Sequence, residues 1–412
     1  MRLSLVLILL TVPAVTLTQA PQGDAALLTR AKALHKQVPL IDGHNDYPWA
    51  LRENAASDLD KIDISKPQPT IMTDIARLRA GGVGGQFWSV YVPADDPRPV
   101  TSTLEQIDIV HRMMRKYPDT FELALTADDV ERIFKKGKIA SLIGMEGGHS
   151  IDSSLGALRM FHRLGARYMT LTHSKNVPWA DSATDTAALN GLSPFGEAVV
   201  REMNWLGMLV DLSHVSPDTM KDAIAASAAP VIFSHSSSRA VNDVPRNVPD
   251  DVLSLLPKNG GVVMVTFVPG FLSAKVAEYG RKRQGILDAA TLASKEGSTD
   301  PKAVLARWDK ENPAPRATIG DAADHIDHIK KLAGIDHIGL GGDFDGITSV
   351  VQGLEDVSTY PALTVELLRR GYKDDEIKKI LGLNILRVMR DVEKVSARLQ
   401  KERAASAELF TR

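Results

Sequence analysis

Short apolar runs alternate with stretches of helical periodicity along most of the chain. The runs are rich in β-branched residues and are bounded by Gly, Pro or Asp. Some of them, such as Val262-Val263-Met264-Val265, are hydrophobic at every position, which is typical of parallel strands buried on both faces. Eight strands are predicted: Pro39–Asp46, Gly84–Val92, Ile139–Gly147, Arg167–His173, Gly207–His214, Pro230–Ser236, Gly261–Val268 and His337–Asp343.

This alternation favours an α/β fold of the (β/α)8, TIM-like barrel type, and 412 residues suffice for one barrel with an insertion. A doubly wound open sheet is the competing α/β architecture. The first predicted strand is not followed by a Gly-x-Gly-x-x-Gly turn, and the chain contains no P-loop. The sequence therefore gives the open sheet no support.

Two segments depart from the alternation. Phe271–Thr318, between the seventh and eighth predicted strands, is charged and broken by prolines, so we expect a partly helical insertion at the mouth of the barrel. Val177–Ser193 holds Trp179 among small polar residues and is predicted to be a loop that could cover the mouth. Helices predicted to close the barrel after its last strand are Ala362–Arg370, Asp374–Leu381 and Asn384–Lys401.

Residues 1–20 have the features of a secretory signal peptide. Met1-Arg2 precede the apolar run Leu3–Leu10, and the segment ends at Thr18-Gln19-Ala20. An uncleaved membrane anchor is the alternative, although about 20 residues interrupted by polar ones are short for a spanning helix. The C-terminus, Lys401–Arg412, is charged and lacks a lipid-anchor signal. We expect an exported protein, periplasmic or secreted, without a stable membrane anchor after cleavage, in which residues 21–412 form a single domain.

Composition restricts the chemistry that the barrel can carry. The 49 Lys and Arg against 51 Asp and Glu give a net charge of −2, so a broad basic surface for nucleic acid is not expected. The absence of cysteine excludes disulfides, iron–sulfur clusters, thiolate zinc sites and thiol nucleophiles. A metal site would have to use the 11 histidines together with Asp and Glu, which are the ligands of catalytic zinc and of di-metal hydrolases.

Polar side chains stand at the ends of the apolar strands, where a barrel of this kind forms its active-site rim. His44 and Asp46 are two positions apart at the end of the first strand, so an extended backbone directs both to the same face. Glu146 closes the third strand between glycines, and a carboxylate there is costly unless it is paired or binds a metal. The other polar residues at strand ends are His173, His214, His235, Asp343 and Asp345.

Each of these residues alone has an ordinary structural explanation. A single histidine at a strand end is more often structural than a ligand, and Asp343 or Asp345 could cap the following turn. Packing does not, however, explain why histidines and carboxylates share the same end of six predicted strands. Their joint placement predicts a metal site.

The residues at these strand ends resemble those of the renal or membrane dipeptidase family, a branch of the amidohydrolase superfamily. The resemblance runs from about residue 25 to residue 395 and keeps the same order along the chain. The matching stretches are Ile41–Asp46, Ser141–Ser154, Leu171–Asp181, Asp211–Ser216, Pro230–Ser237, Arg246–Asp251 and Gly341–Gly346.

The resemblance implies two Zn²⁺ ions per subunit and hydrolysis of dipeptides by a hydroxide that bridges the two ions. Glu146 would be the carboxylate shared by the two ions. One zinc would be held by His44, Asp46 and Glu146, and the other by Glu146, His214 and His235.

The same resemblance assigns three residues to substrate binding and catalysis. His173 matches the residue that polarises the substrate carbonyl, and Arg246 matches the one that receives the terminal carboxylate of the substrate. Asp343 matches the proton-transferring carboxylate, with Asp345 of the same motif as the alternative. The family also suggests a homodimer. Animal members carry cysteines and a lipid anchor, neither of which this sequence predicts.

Two other functions remain open at this point. One is hydrolysis of another small amide, such as an N-acyl amino acid or a β-lactam. The other is capture of peptides by a periplasmic protein that does not hydrolyse them. The presence of His173 and Asp343 argues against this alternative, because capture needs no proton carrier. Side-chain and stereochemical preferences are not predicted, since Phe271–Thr318 departs from the compact family pattern.

Overall fold

Parallel strands close into a barrel that is surrounded by helices, as the strand and helix pattern predicts. The computed structural model describes residues 23–294 and 300–411, so the predicted signal peptide lies outside the described residues. A nine-stranded sheet has the order β2-β1-β9-β8-β7-β6-β5-β4-β3, and a further pairing of β2 with β4 closes it. The strands are β1 Leu40–Asn45, β2 Val83–Ser89, β3 Phe121–Leu123, β4 Ile139–Met145, β5 Ala166–Thr170, β6 Leu209–Asp211, β7 Ile232–Phe233, β8 Val262–Val265 and β9 Ile338–Leu340.

One strand of the sheet, β3, lies outside the barrel and was not predicted. It pairs with the first half of β4, where Phe121 is opposite Ile139. Strand β5 pairs with the second half of β4 on the same edge. The barrel itself closes through β2 and β4, which pair over the five positions from Gly85↔Ala140 to Ser89↔Gly144. A strand of three residues, of which only Phe121 is fully buried, carries too little periodicity to be recognised from sequence.

Side-chain caps start many of the helices that cover the barrel. Ser154, Ser193 and Ser216 each accept a hydrogen bond from the backbone N–H three residues further on. Thr318 forms a reciprocal capping box with Asp321. The helices are α1 Asp24–His35, α2 Tyr47–Ala55, α3 Ile75–Gly81, α4 Pro99–Lys116, α5 Ala127–Lys135, α6 Leu155–Arg163, α7 Pro194–Leu206, α8 Pro217–Ala226, α9 Asp250–Leu253, α10 Leu256–Asn259, α11 Pro269–Leu272, α12 Ala274–Ser294, α13 Pro301–Glu311, α14 Ile319–Leu332, α15 Tyr360–Arg369, α16 Asp374–Lys378 and α17 Asn384–Glu402.

The segment between β8 and β9 is largely helical. Helices α12 and α13 pack on each other through the rings of Tyr279 and Trp308, whose centroids are 5.1 Å apart, and through an ion pair between Arg283 and Asp309. The short helix α11 leads into this pair from the barrel rim. The predicted insertion is therefore an added helical pair at the mouth.

The loop that follows β5 is folded against the barrel. The buried carboxylate of Asp181 accepts hydrogen bonds from the backbone N–H groups of Leu189, Asn190 and Gly191, and Trp179 is fully buried. Ser182 Oγ donates to the carbonyl of His173 at 2.6 Å. These bonds tie the loop to the end of the strand that it follows.

The three predicted C-terminal helices are present. A π-helical turn, Lys379–Leu383, joins α16 to α17. Residues of α17 such as Leu386 and Val388 are buried in an apolar cluster that also holds Val262 of β8. Within the described residues, we find no helix with the length and hydrophobicity needed to cross a membrane.

Candidate metal centre

The predicted site residues, apart from Arg246, lie at the C-terminal ends of six barrel strands and meet at one end of the barrel. The C-terminal ends of β1 and β9 are joined by two backbone hydrogen bonds, from Asp343 N to the His44 carbonyl at 3.1 Å and from Asp46 N to the Phe344 carbonyl at 2.9 Å. This pairing brings the His44–Asp46 end of the first strand next to Asp343. Glu146 directly follows β4, while His214 and His235 come shortly after β6 and β7.

Glu146 lies at the centre of the cluster and uses its two oxygens on different sides. Its Oε2 atom is 3.4 Å from His44 Nε2. Its Oε1 atom is 3.0 Å from His214 Nε2 and 3.5 Å from His235 Nε2. One carboxylate therefore faces two separate groups of ring nitrogens, which is the arrangement of a ligand shared between two ions.

The spacing of these atoms fits a metal ion on each side of Glu146. Ligands at about 2.0–2.1 Å from a tetrahedral zinc lie roughly 3.3 Å from one another. His44 Nε2 is 3.2 Å from Asp46 Oδ2, and His214 Nε2 is 2.9 Å from His235 Nε2. Among the described residues, the buried His44 Nε2 has no well-directed hydrogen bond. Three overlapping sets of side chains could hold an ion: His44, Glu146 and His235; Glu146, His173 and His214; and His44, Asp46 and Asp343.

Burial and neighbouring charges shift the pKa values of these groups strongly. Burial, the nearby Arg246 and neighbouring imidazoles lower the pKa values of His214 and His235 well below the usual range, which leaves neutral rings suited to metal binding. Burial opposes ionisation of Glu146, but the charge of His44 and the hydrogen bond from His214 outweigh it and lower the pKa of Glu146.

Asp343 lies close to two other carboxylates. Burial raises the pKa of Asp343 well above its usual value, and the negative charges of Asp46 and Glu146 raise it further. Its Oδ1 atom is 3.9 Å from His44 Nε2, at the edge of the metal cluster. Asp343 can therefore hold a proton beside the cluster.

Strained backbone occurs at three of the candidate residues. The φ angles are +68° at His214, +61° at Asp343 and +67° at Asp345, in the left-handed region that non-glycine residues seldom adopt. Such strain costs of order 1–3 kcal/mol per residue and persists where the surrounding structure imposes it, commonly at functional sites.

A cavity of about 380 Å³ opens over the cluster. Its lining includes the predicted site residues apart from Asp345 and the fully buried His44. Trp49 and Tyr91 form one wall, with ring centroids 4.9 Å apart, and the Tyr91 ring is 4.8 Å from that of His173. Phe271 also lines the cavity.

Arg246 is a buried cation that lines this cavity. Its side chain is 5% exposed and its guanidinium lies 5.2 Å from the ring centroid of Phe271. The guanidinium donates long hydrogen bonds to Ser236 Oγ at 3.4 Å and to the carbonyl of His235 at 3.3 Å. Among the described residues, no carboxylate forms an ion pair with it. Burial lowers the pKa of Arg246 to about 10, so it remains a cation at neutral pH.

Asp345 is directed away from the cluster. Its Oδ1 atom accepts a hydrogen bond from the backbone N–H of Met72 at 2.5 Å, and burial raises its pKa to about 6. The two aspartates of the motif thus have different surroundings: Asp343 faces the cavity and Asp345 anchors the segment before α3. The lining residues Trp49, Tyr91 and Phe271 were not predicted, because aromatic residues in such positions resemble packing residues.

Gly346 follows this motif, and its lack of a side chain leaves room for the carboxylates of Asp46 and Asp343. A Cβ atom at position 346 would overlap Asp46 Oδ2 and lie 2.6 Å from Asp343 Oδ1. We expect Gly346→Ala to lower kcat/KM by about 100-fold, because a 1 Å displacement of reacting groups has an effect of that size. Since Gly346 is exposed, the thermal midpoint should change little. Gly280→Ala, in α12 with open space around its Cβ, is the matched control. Unchanged kinetics of the Gly346 variant would contradict the proposed crowding.

Comparisons with known proteins agree with this geometry. Residues 28–403 match the family model described as Membrane dipeptidase (Peptidase family M19). "Dipeptidase verJ" from Clonostachys rogersoniana is 42% identical over 387 residues, which cover 91% of this chain and 89% of that relative.

Solved structures show the same similarity. The probable dipeptidase PvdM from Pseudomonas aeruginosa has a TM-score of 0.77 and 26% identity, covering 90% of this chain and 99% of that one. A metallo peptidase from Rhodobacter sphaeroides, liganded with a phosphinate mimic of the dipeptide L-Ala-D-Ala, has a TM-score of 0.71 and 25% identity, covering 86% of this chain and 99% of that one.

Proposed function

Because the chain belongs to the membrane dipeptidase family and is a metallopeptidase, we propose that it is a dizinc enzyme that hydrolyses dipeptides with a free C-terminal carboxylate. One zinc would be held by His44, Asp46 and Glu146, and the other by Glu146, His214 and His235. The solved relative with a phosphinate mimic of L-Ala-D-Ala supports a dipeptide-sized substrate.

One observation carries this proposal: the Arg246 guanidinium is buried and forms no ion pair with a carboxylate among the described residues. A buried cation is costly unless an anion accompanies it, and a planar guanidinium matches a carboxylate with two parallel hydrogen bonds. Arg246 lines the same cavity as Glu146 and His214. A carboxylate bound to it would fix the distance from the end of the substrate to the scissile bond, so that longer peptides would be misplaced.

The bound ions would supply the Lewis acidity that lowers the pKa of a water molecule and polarises the scissile carbonyl. The protein's own residues position the substrate and move the proton. His173, whose pKa is lowered by burial, is a neutral imidazole whose N–H can donate to the substrate carbonyl oxygen. Hydrolysis adds the hydroxyl of water to the carbonyl carbon and breaks the C–N bond. Asp343 Oδ1 would carry the remaining proton from that water to the leaving amine.

Hydrolysis of N-acyl amino acids is the second candidate, because these amides present the same carboxylate to Arg246. A dipeptide differs from these amides in its free ammonium group, and the match to the membrane dipeptidase family favours such a substrate. The proposal therefore predicts a preference for dipeptides over their N-acylated forms.

A panel of four substrates tests the proposal on the zinc-loaded protein: an L,L-dipeptide, its L,D isomer, its N-acetyl form and its C-terminal amide. We expect cleavage of at least one free dipeptide, with kcat/KM lower by roughly 100-fold for the amide, as for loss of a buried charge-assisted contact.

Arg246→Met should weaken cleavage of the free dipeptide by a similar factor, while the amide is cleaved equally by both proteins. Equal cleavage of the free and amidated dipeptides by the wild type would contradict the role of Arg246. Cleavage of none of the four would contradict the dipeptidase proposal, and preference for the acetylated form would favour the second candidate.

A further inference from the structure

A buried chain of hydrogen bonds leads away from His235 into the barrel wall. His235 Nδ1 lies 2.8 Å from Ser234 Oγ, which lies 2.7 Å from Asp211 Oδ2. All three side chains are buried. Asp211 ends β6 and Ser234 directly follows β7, so the chain runs between neighbouring strands beneath the candidate metal centre.

The hydrogen bonds around Asp211 fix the direction of this chain. Asp211 Oδ1 accepts from the backbone N–H groups of Ser213 at 3.1 Å and Ser234 at 2.8 Å, and these groups can only donate. Asp211 Oδ2 lies 2.5 Å from Thr170 Oγ1 and 2.7 Å from Ser234 Oγ. An ionised carboxylate has no proton to give, so both hydroxyls donate to it.

The single proton of Ser234 is therefore directed at Asp211, and Ser234 Oγ can only accept from His235. Ser213 Oγ, at 3.5 Å, is another acceptor within reach of Ser234, but the carboxylate of Asp211 is nearer and charged. It follows that His235 carries its proton on Nδ1. The lone pair then lies on Nε2, the atom that faces Glu146 and His214.

We propose that Asp211 is a positioning residue that acts through Ser234 to hold His235 in the tautomer required for metal binding. The proposal rests on the metal centre of the proposed function, but not on the identity of the substrate. Partners that orient the second nitrogen of a histidine ligand commonly change metal affinity by 10- to 100-fold when they are mutated.

The other buried histidine of the cluster, His44, is also oriented by a hydrogen bond at its Nδ1 atom, but with different groups. His44 Nδ1 is 2.9 Å from Tyr168 Oη, which donates to the Gly43 carbonyl at 3.2 Å. Tyr168 thus accepts the Nδ1 proton of His44, and Nε2 is the atom directed at Asp46 and Glu146. There the terminal acceptor is a backbone carbonyl that no substitution alters, whereas Asp211 can be exchanged for an amide of the same shape.

Asp211→Asn should reverse the direction of the chain. The amide oxygen must take the Oδ1 position, because two backbone N–H groups point at it, so the NH₂ group faces Thr170 and Ser234. Ser234 then accepts from Asn and donates to His235 Nδ1, which moves the ring proton to Nε2 and blocks the metal-binding atom. Stoichiometric Zn²⁺ titration into metal-free protein should show one of two ions bound about 10- to 100-fold more weakly.

Thr170→Val is the matched control, since it removes one hydrogen bond to Asp211 but leaves the Ser234–His235 contact intact. It should lower the thermal midpoint about as much as Asp211→Asn while both ions bind normally. If both variants lose stability equally and both keep wild-type zinc affinity, Asp211 only ties β5, β6 and β7 together and the proposal is wrong.

Nitrogen NMR of ¹⁵N-histidine-labelled metal-free protein tests the tautomer directly, even if Asp211→Asn fails to fold. The wild type should show His235, identified by its absence in His235→Gln, with the proton on Nδ1. A proton on Nε2 would overturn the proposal. The wild-type protein could cleave no dipeptide and still show this tautomer, with zinc bound more weakly by Asp211→Asn. That result would refute the proposed substrate and leave the role of Asp211 standing.

Discussion

Glu146→Gln is expected to abolish hydrolysis, with kcat/KM at least about 1,000-fold lower, because metal ions supply several kcal/mol of transition-state stabilisation. Both carboxylate oxygens of Glu146 face ring nitrogens, Oε2 toward His44 and Oε1 toward His214 and His235. Gln keeps one oxygen and replaces the other with an NH₂ group that has no lone pair to offer. Whichever way the amide turns, one side of the cluster loses its shared ligand.

Metal analysis of the purified variant should find no more than one of two zinc ions. Glu202→Gln is the matched control, because Glu202 is also fully buried but lies in α7, where it pairs with Arg159 at 2.9 Å and accepts from the Ser406 N–H. That change should lower the free energy of unfolding by about 1–3 kcal/mol and leave zinc content unchanged. A Glu146→Gln protein that binds two ions and retains activity would refute the shared-ligand role.

Much of the candidate site could be predicted because its residues break a strong pattern. A polar side chain directly after a fully apolar strand is conspicuous, and the carboxyl ends of barrel strands lie at one face. This placed Glu146, His214 and His235 on the same face from sequence alone, and the structure brings their side chains within 3.5 Å of one another.

The groups that orient the histidines could not be predicted in the same way. Tyr168 lies within a strand pattern and reads as a core aromatic, and Ser234 and Asp211 belong to different strands. Their contacts depend on the register between neighbouring strands, with Asp211 opposite Ile232. Sequence periodicity gives the face of a side chain but not the register between strands.

Two histidines away from the strand ends illustrate the opposite case. His325 and His328 are three residues apart on α14, a spacing that can bind metal. The structure separates them: His325 is buried between the Ser238 N–H and the Leu272 carbonyl, and His328 pairs with Asp250 at 2.8 Å. Their position on an outer helix, away from the strand ends, already favoured this outcome.

Asp343→Asn is expected to lower kcat by about 100- to 10,000-fold, the range found for loss of a general acid–base group. Asn has the shape of Asp but cannot carry a proton from water to the leaving amine. Burial and the charges of Asp46 and Glu146 raise the pKa of Asp343, so its carboxyl group is adapted to hold that proton. Asp343 is outside the proposed set of metal ligands, and both zinc ions should therefore remain bound.

Asp345→Asn separates the two aspartates of the motif. Asp345 accepts from the Met72 N–H, and an amide oxygen can do the same, so this variant should keep kcat within a few-fold of wild type. Steady-state kinetics and zinc content of both variants decide the assignment. If Asp345→Asn is the inactive protein, then Asp343 is not the proton carrier. The same holds if Asp343→Asn loses zinc along with activity, because loss of a proton carrier alone leaves the metal centre intact.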